Sequence, residues 1–235
     1  MDDSLQAELR RILADDQRRS AALLSSGYQG LVYLYDDNGY KLVIKQAGGG
    51  LLTGWLHRLM LHREARVYTR LADVEGVPHS LGLLDGNYLV LEFVEGRSLK
   101  AERRALQNSE AFYAALRTII TACHSAGVAH GDLKRKDNVI VDGYEQPHVI
   151  DFGTAVMRDG SLFDRMMYPL VVRFDLNAWI KVKYNNDYDA ISAEDMQWYQ
   201  PTVIESVFRL LRRFWRTVTF RQARKRRRKR KMSGG

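Results

Sequence analysis

The chain has a single cysteine, Cys123, and only four prolines in 235 residues. A lone thiol cannot close an internal disulfide or build a cysteine-ligated metal centre, which suits a reducing compartment. The six histidines fall at no metal-ligand spacing. So little proline, beside 18 glycines and 27% charged residues, excludes a proline-rich or low-complexity chain. No apolar run reaches the roughly 18 residues needed to cross a bilayer. The first twenty residues, MDDSLQAELRRILADDQRRS, lack the apolar centre of a secretory signal. These absences predict a soluble, cytoplasmic protein, or one peripheral to the inner face of the cytoplasmic membrane.

What is present is enough for one substantial core divided into two lobes, with 46% of residues hydrophobic. The net charge of +8 is not spread evenly: 13 Lys or Arg and no acid lie between Arg209 and Lys231. The rest of the chain is therefore mildly acidic, and the basicity belongs to one terminal segment.

Along the chain, the first twenty residues read as a helix carrying Leu5 and Leu13 on a mostly polar surface. Two β-rich runs, 31–35 and 40–44, flank Asp36-Asp37-Asn38-Gly39, whose Asn-Gly is a hairpin signal. The segment AGGGLLTG reads as a flexible connector. A helix follows over 55–73, with Leu56, Leu59, Met60, Ala65, Val67 and Leu71 at helical spacing. Two further strands surround Asp85-Gly86, and one or two helices fill 101–126. Short strands are predicted at 139–141 and 148–150, and the remainder to about residue 218 reads as largely helical.

The stretch HGDLKRKDNVIVDGYEQPHVIDFGTA, 130–155, carries the chemistry. It holds two acids, Asp132 and Asp151, with an Asn between them. Phosphoryl transfer from ATP needs few covalent steps from a protein: phosphates held by amides and a cation, one or two Mg²⁺, and an acid beside the acceptor hydroxyl. Mg²⁺ takes one or two carboxylates plus phosphate oxygens and water. An Asp and an Asn on neighbouring loops meet that demand and leave a second Asp to orient the nucleophile.

HGDLKRKDNVIV followed by VIDFGTA resembles the catalytic and metal-binding loops of the protein-kinase-like superfamily. With Gly131 where Arg is usual, it is most similar to the atypical branch that includes RIO-type and small-molecule kinases. The resemblance implies that Asp132 is the catalytic acid and that Lys134 steadies the γ-phosphate. It also implies that Asn138 and Asp151 hold Mg²⁺, while Phe152 packs beneath the site. Asp137 lies at the usual five-residue step from Asp132, so it competes with Asn138 as the second ligand. Asn138 is favoured because it directly precedes a strand. Asp175, in RFDLNAWIKVKY, matches the helix acid that binds the catalytic-loop backbone, and His130 reads as structural rather than as a base.

The N-terminal half extends the likeness. Ser25-x-Gly27-x-x-Gly30-x-Val32 resembles the glycine-rich loop, where Gly27 and Gly30 would let backbone approach phosphates and Val32 would cover the adenine. Lys45 matches the phosphate-pairing lysine, Glu64 its helix partner, and Glu92 to Val94 the adenine-binding hinge. The implied fold is α+β and bilobal. Residues 1–94 would form a β-rich N-lobe with a leading helix, and 95–206 a reduced, mainly helical C-lobe. Residues 207–235 would form a basic amphipathic helix and polybasic tail.

No Ala-Pro-Glu motif closes an activation segment, and the second half is too short for the usual peptide-docking helices. That shortness resembles bacterial lipopolysaccharide-core sugar kinases and RIO-type kinases. Three readings follow: an ATP- and Mg²⁺-dependent kinase of a glycolipid hydroxyl, a RIO-like serine/threonine protein kinase, and a nucleotide-binding pseudokinase. The tail would meet an anionic membrane surface or pack on the C-lobe. Nonspecific nucleic-acid binding is the weaker option, because no aromatic interrupts the run of cations over 221–231.

Overall fold

The computed structural model describes residues 1–200, except 16, 18, 19, 21, 28, 29, 49–53 and the side chains of 25–27. The expected amphipathic helix and polybasic tail over 207–235 lie outside the described residues.

The first helix, α1 (Asp3–Ala14), starts where the Asp2 side chain accepts a hydrogen bond from the Leu5 amide at 2.8 Å. Leu5, Leu9 and Leu13 recur every fourth residue and form one buried stripe. That stripe packs on Tyr33, Tyr35, Leu42, Ile44, Leu84 and Val90 of a sheet. The sheet is antiparallel, with strands β1 (Leu23–Gly27), β2 (Gly30–Asp37), β3 (Tyr40–Ala47), β4 (Ser80–Leu84) and β5 (Tyr88–Glu92) in the order β1-β2-β3-β5-β4. Asp36 and Asp37 belong to β2, so the turn is Asn38-Gly39 alone, both with positive φ (50° and 77°). This is the backbone that a two-residue hairpin of native twist requires.

Alternation along β3 decides the site. Ile44 faces α1, so its neighbour Lys45 must project from the opposite face. On that face lies α2 (Gly54–Arg70), with Leu61, Ala65 and Tyr68 at i, i+4 and i+7 buried against the sheet. The AGGGLLTG connector includes undescribed residues 49–53.

After β5 the chain becomes mainly helical: α3 (Leu99–Glu102), α4 (Ser109–Ser125), α5 (Leu162–Lys183) and α6 (Ala193–Met196). The helical region predicted over 101–126 thus resolves into two pieces, the second starting where Asn108 caps Ala111. Three short strands, β6 (Arg97–Ser98), β8 (Val139–Val141) and β9 (Pro147–Val149), form one small sheet, and β7 (Val128–Ala129) pairs with β10 (Val156–Met157). The last strand before the Asp-Phe-Gly motif is one residue earlier than predicted, because Val141 pairs with Pro147. Phe112, Leu116, Val128, Phe152, Trp179 and Ile180 anchor the core beneath these loops. The architecture is therefore α+β, a β-sheet region followed by helices, as expected. Among the described residues no helix is long and apolar enough to cross a membrane.

Candidate functional site

A cleft of about 760 Å³ lies between the sheet and the helical region. Val32 and Val43 line it from the sheet, Phe93 and Val94 from the connection after β5, and Ile140 and Asp151 from the helical side. Lys45 reaches into this cleft. Its Nζ is 2.6 Å from Glu64 Oε1 on α2 and 2.8 Å from Asp151 Oδ1. The side chains separated by 106 residues along the chain therefore meet at one ammonium group. Burial works to lower the Lys45 pKa, but the charges of Glu64 and Asp151 outweigh it and hold the ammonium above its ordinary range. Burial likewise pushes the Asp151 carboxyl up. The nearby Lys45, with smaller help from His130 and Arg135, reverses that and holds it below the ordinary range.

Asp151 has φ of 66°, the left-handed region that a non-glycine residue enters at a cost. Its surroundings hold it there. The Asp151 amide donates to the Tyr68 hydroxyl at 3.2 Å, and Ile150 donates to the Asn138 carbonyl at 3.0 Å. The next residue, Phe152, is buried, with its ring edge-on to Tyr68 (5.3 Å between centroids) and tilted on His130 (4.7 Å). Tyr68 was not singled out in the sequence. Its place four residues after Glu64, on the same helical face, is the signal that could have found it.

The loop before Asp132 is held by Asp175 of α5, whose carboxylate is almost wholly buried. It accepts from the His130 amide at 2.7 Å and the Gly131 amide at 2.9 Å, with His124 at 3.1 Å. Gly131 has φ of 82°, and a Cβ there would sit 3.2 Å from the Thr154 carbonyl. That is a backbone reason for glycine where related motifs have arginine. The His130 ring bridges the Ile150 carbonyl at 3.0 Å and the Asp132 amide at 3.2 Å, so it holds two loops together and has no nitrogen left for a substrate.

Asp132 is mostly buried, with Arg135 Nη1 3.7 Å and Lys134 Nζ 4.0 Å from its carboxylate oxygens. Lys134 itself is exposed. Arg135 lines the cleft and was missed in the sequence, where it reads as one more basic loop residue. Asn138 and Asp137 part company here. Asn138 is buried and its Nδ2 donates to the Asp132 carbonyl at 3.0 Å, which leaves its amide oxygen as the acceptor. Asp137 is exposed and pairs with Lys100 at 3.4 Å. Residues 136–138 form a 3₁₀ turn that leads directly into β8.

The glycine-rich segment is also constrained by its own sheet. Gly27 and Gly30 face each other across the β1–β2 turn. A Cβ at Gly30, where φ is 147°, would meet the Gln46 carbonyl at 2.0 Å. Glycine is required there for close approach to β3, whatever it also allows towards a ligand. At the hinge, the Glu92 amide donates to His79 and the Phe93 amide to Lys41. Among the described residues the Val94 amide has no hydrogen-bond partner, so it can donate to a ligand. Asp132, Lys134 and Asn138 do not line the cleft itself, unlike Gly30, Val32, Lys45, Glu64, Glu92, Val94 and Asp151.

The donor set can be tested against a metal. Asn138 and Asp151 offer one carboxamide oxygen and one carboxylate, hard ligands of the number Mg²⁺ takes from protein in phosphate sites. Among the described residues no cluster of three or more His, Cys, Asp or Glu exists, so an all-protein cage of the kind other metals prefer has no residues there. The residues fit Mg²⁺ bound jointly with phosphate.

A family profile described as RIO domain matches residues 54–167, from the start of α2 to early α5. The chain is also similar to "Sperm motility kinase Z" of Mus musculus, at 41% identity over 85 residues, which cover 34% of this chain and 17% of that protein. It is 30% identical over 148 residues to "Putative cyclin-dependent kinase F-2" of Oryza sativa subsp. japonica, covering 56% of this chain and 45% of the rice protein. The chain spans less than half the length of either relative.

Proposed function

Because this chain is a member of the protein-kinase-like superfamily, we propose that it transfers the γ-phosphate of ATP, with Mg²⁺, to a hydroxyl group. The observation that carries this reading is Lys45 Nζ held between Glu64 and Asp151 in an open cleft. In that role the ammonium meets the α- and β-phosphates, and Glu64 fixes its direction. Val32 covers the adenine, with the Val94 amide as hinge donor.

Mg²⁺, when bound at Asn138 and Asp151, supplies charge neutralisation on the phosphate oxygens. Asp132 orients the acceptor hydroxyl and takes its proton as the oxygen–phosphorus bond forms and the β–γ bridging oxygen departs with ADP. Lys134, exposed and 4.0 Å from Asp132, is free to follow the γ-phosphoryl group.

The acceptor we favour is a sugar hydroxyl of a lipopolysaccharide core or related glycolipid, on the likeness of the HGDLKRKDNVIV loop, with Gly131 where arginine is usual, to small-molecule kinases. A serine or threonine of a protein is the second reading, favoured by the RIO-domain match. Purified protein, γ-labelled ATP and Mg²⁺ mixed with dephosphorylated glycolipid or with a protein extract separate the two. Label confined to protein rejects the sugar reading. Asp132→Ala should slow transfer by about 10²- to 10⁴-fold with little change in nucleotide affinity. A variant as fast as wild type would remove the catalytic assignment. Nucleotide binding without transfer to any acceptor would leave the pseudokinase.

A further inference from the structure

The two helices that flank the site, α2 and α5, carry their charge in an unusual arrangement. Every acid on them is buried: Glu64 on α2, and Asp164 and Asp175 on α5. Every exposed charge is an arginine: Arg58, Arg66 and Arg70 on α2, Arg165 and Arg173 on α5. Among the described residues, Arg70 alone of these has an acidic partner, Asp159 at 2.7 Å.

The exposed faces are also apolar. At the start of α5, Asp164, Val171 and Asp175 point inward. Leu162, Phe163 and Met166 point to solvent and are 85%, 62% and 67% exposed. Pro169, one turn further along, is exposed too. On α2, Trp55, Leu56 and Leu59 are exposed beside Arg58. The helices are tied together by the Arg63–Asp164 ion pair, and Asp164 also closes the capping box that starts α5. A helix that turns Leu, Phe and Met outward has its amphipathic order reversed for a free surface, and such patches mark contact sites.

We propose that the outer face of the first turns of α5, with the exposed face of α2, seats the protein on an anionic lipid bilayer. Apolar and aromatic side chains enter the headgroup boundary while the arginines meet lipid phosphates. A purely apolar partner surface would leave the arginines unused, and a cationic one would be repelled. The inference is independent of the phosphotransfer reading, since lipid binding needs no nucleotide. If both hold, α5, which begins eleven residues after Asp151, sets the site at the height of a headgroup.

The basic segment beyond Arg209 would attract anionic vesicles by charge alone, so the test must read insertion at α5. Cys123 is buried, which leaves a cysteine placed on the surface as the accessible thiol among the described residues. The full chain carrying Phe163→Cys, labelled with a polarity-sensitive dye, is mixed with phosphatidylcholine vesicles with and without phosphatidylglycerol. Tyr144→Cys, on the exposed turn between β8 and β9, serves as the control site. The dye at 163 should shift to apolar emission on anionic vesicles only, and the dye at 144 should not. In flotation at high salt, where simple charge attraction is screened, Leu162→Ser/Phe163→Ser/Met166→Ser should bind about tenfold more weakly than wild type. An unshifted dye at 163 on floating protein would overturn the proposal, as would undiminished flotation of the triple variant. So would a concentration-dependent dimer that the triple variant abolishes, or a stable complex with a protein through these residues in place of lipid.

Discussion

Lys45 and Lys183 each sit between two carboxylates, and the clusters differ in what remains unused. Lys45 bonds Glu64 at 2.6 Å and Asp151 at 2.8 Å; Lys183 bonds Glu110 and Asp195, both at 2.6 Å. Asp195 is 5% exposed, and both its oxygens are engaged. Oδ2 receives Lys183 and the Tyr184 hydroxyl, while Oδ1 faces Arg117 at 3.6 Å. Arg117 in turn lies over the rings of Trp179 and Trp198. Asp151 is 39% exposed, and Lys45 occupies only its Oδ1. The first cluster ends in open acceptor capacity within a large cleft, whereas the second is closed by its own partners and ties α4, α5 and α6 together. Residue type and ion-pair distance are nearly the same in both. Residual valence separates a candidate site from a structural clasp.

Substitutions on either side should sharpen that contrast. The largest effect is expected from Lys45→Met, which should lower kcat/KM for ATP by about a hundredfold or more. It should also move the acid limb of the pH–rate profile to higher pH, because burial then raises the Asp151 carboxyl against only the smaller pull of His130 and Arg135. The sign follows from the wild type. The lowered Asp151 pKa adds stability that is complete above the ordinary aspartate range and is lost as pH falls through the lowered value. The raised Lys45 pKa adds stability that is complete below the ordinary lysine range and is lost only as pH rises beyond it. Across neutral pH both contributions are whole.

Asp195→Asn should do the reverse of Lys45→Met. It leaves Lys183 with one solvent-exposed partner and should cost about 3 kcal/mol in denaturant unfolding, with nucleotide affinity unchanged in calorimetric titration. The smallest effect should come from Tyr68→Phe. It keeps the ring against Phe152 but removes the acceptor for the Asp151 amide, worth about 1 kcal/mol. Binding of Mg²⁺-ATP should weaken roughly fivefold by titration while the melting temperature changes little.

Particular residues mark how far the chain was readable. Asn138, not Asp137, directly precedes a strand in the sequence, and the structure buries Asn138 against the Asp132 carbonyl while Asp137 reaches Lys100. Gly30 was noted as glycine, but the reason it must be glycine, the Gln46 carbonyl, belongs to a neighbouring strand. Leu5 and Leu13 marked a helix without saying that it would cover the back of the sheet. Nothing local distinguishes a leucine stripe that packs on Tyr33 and Tyr35 from one that packs elsewhere.

The order of the reactive groups, their spacing along strands and loops, and the periodicities that form each element are local properties, and backbone sterics read them directly from neighbouring residues. Which carboxylate keeps a free oxygen, which helix turns leucine outward, and which amide finds Tyr68 depend on groups tens of residues apart. Those outcomes were settled only when the sheet and the helices closed on each other, because burial and Coulomb forces act through space and not along the chain.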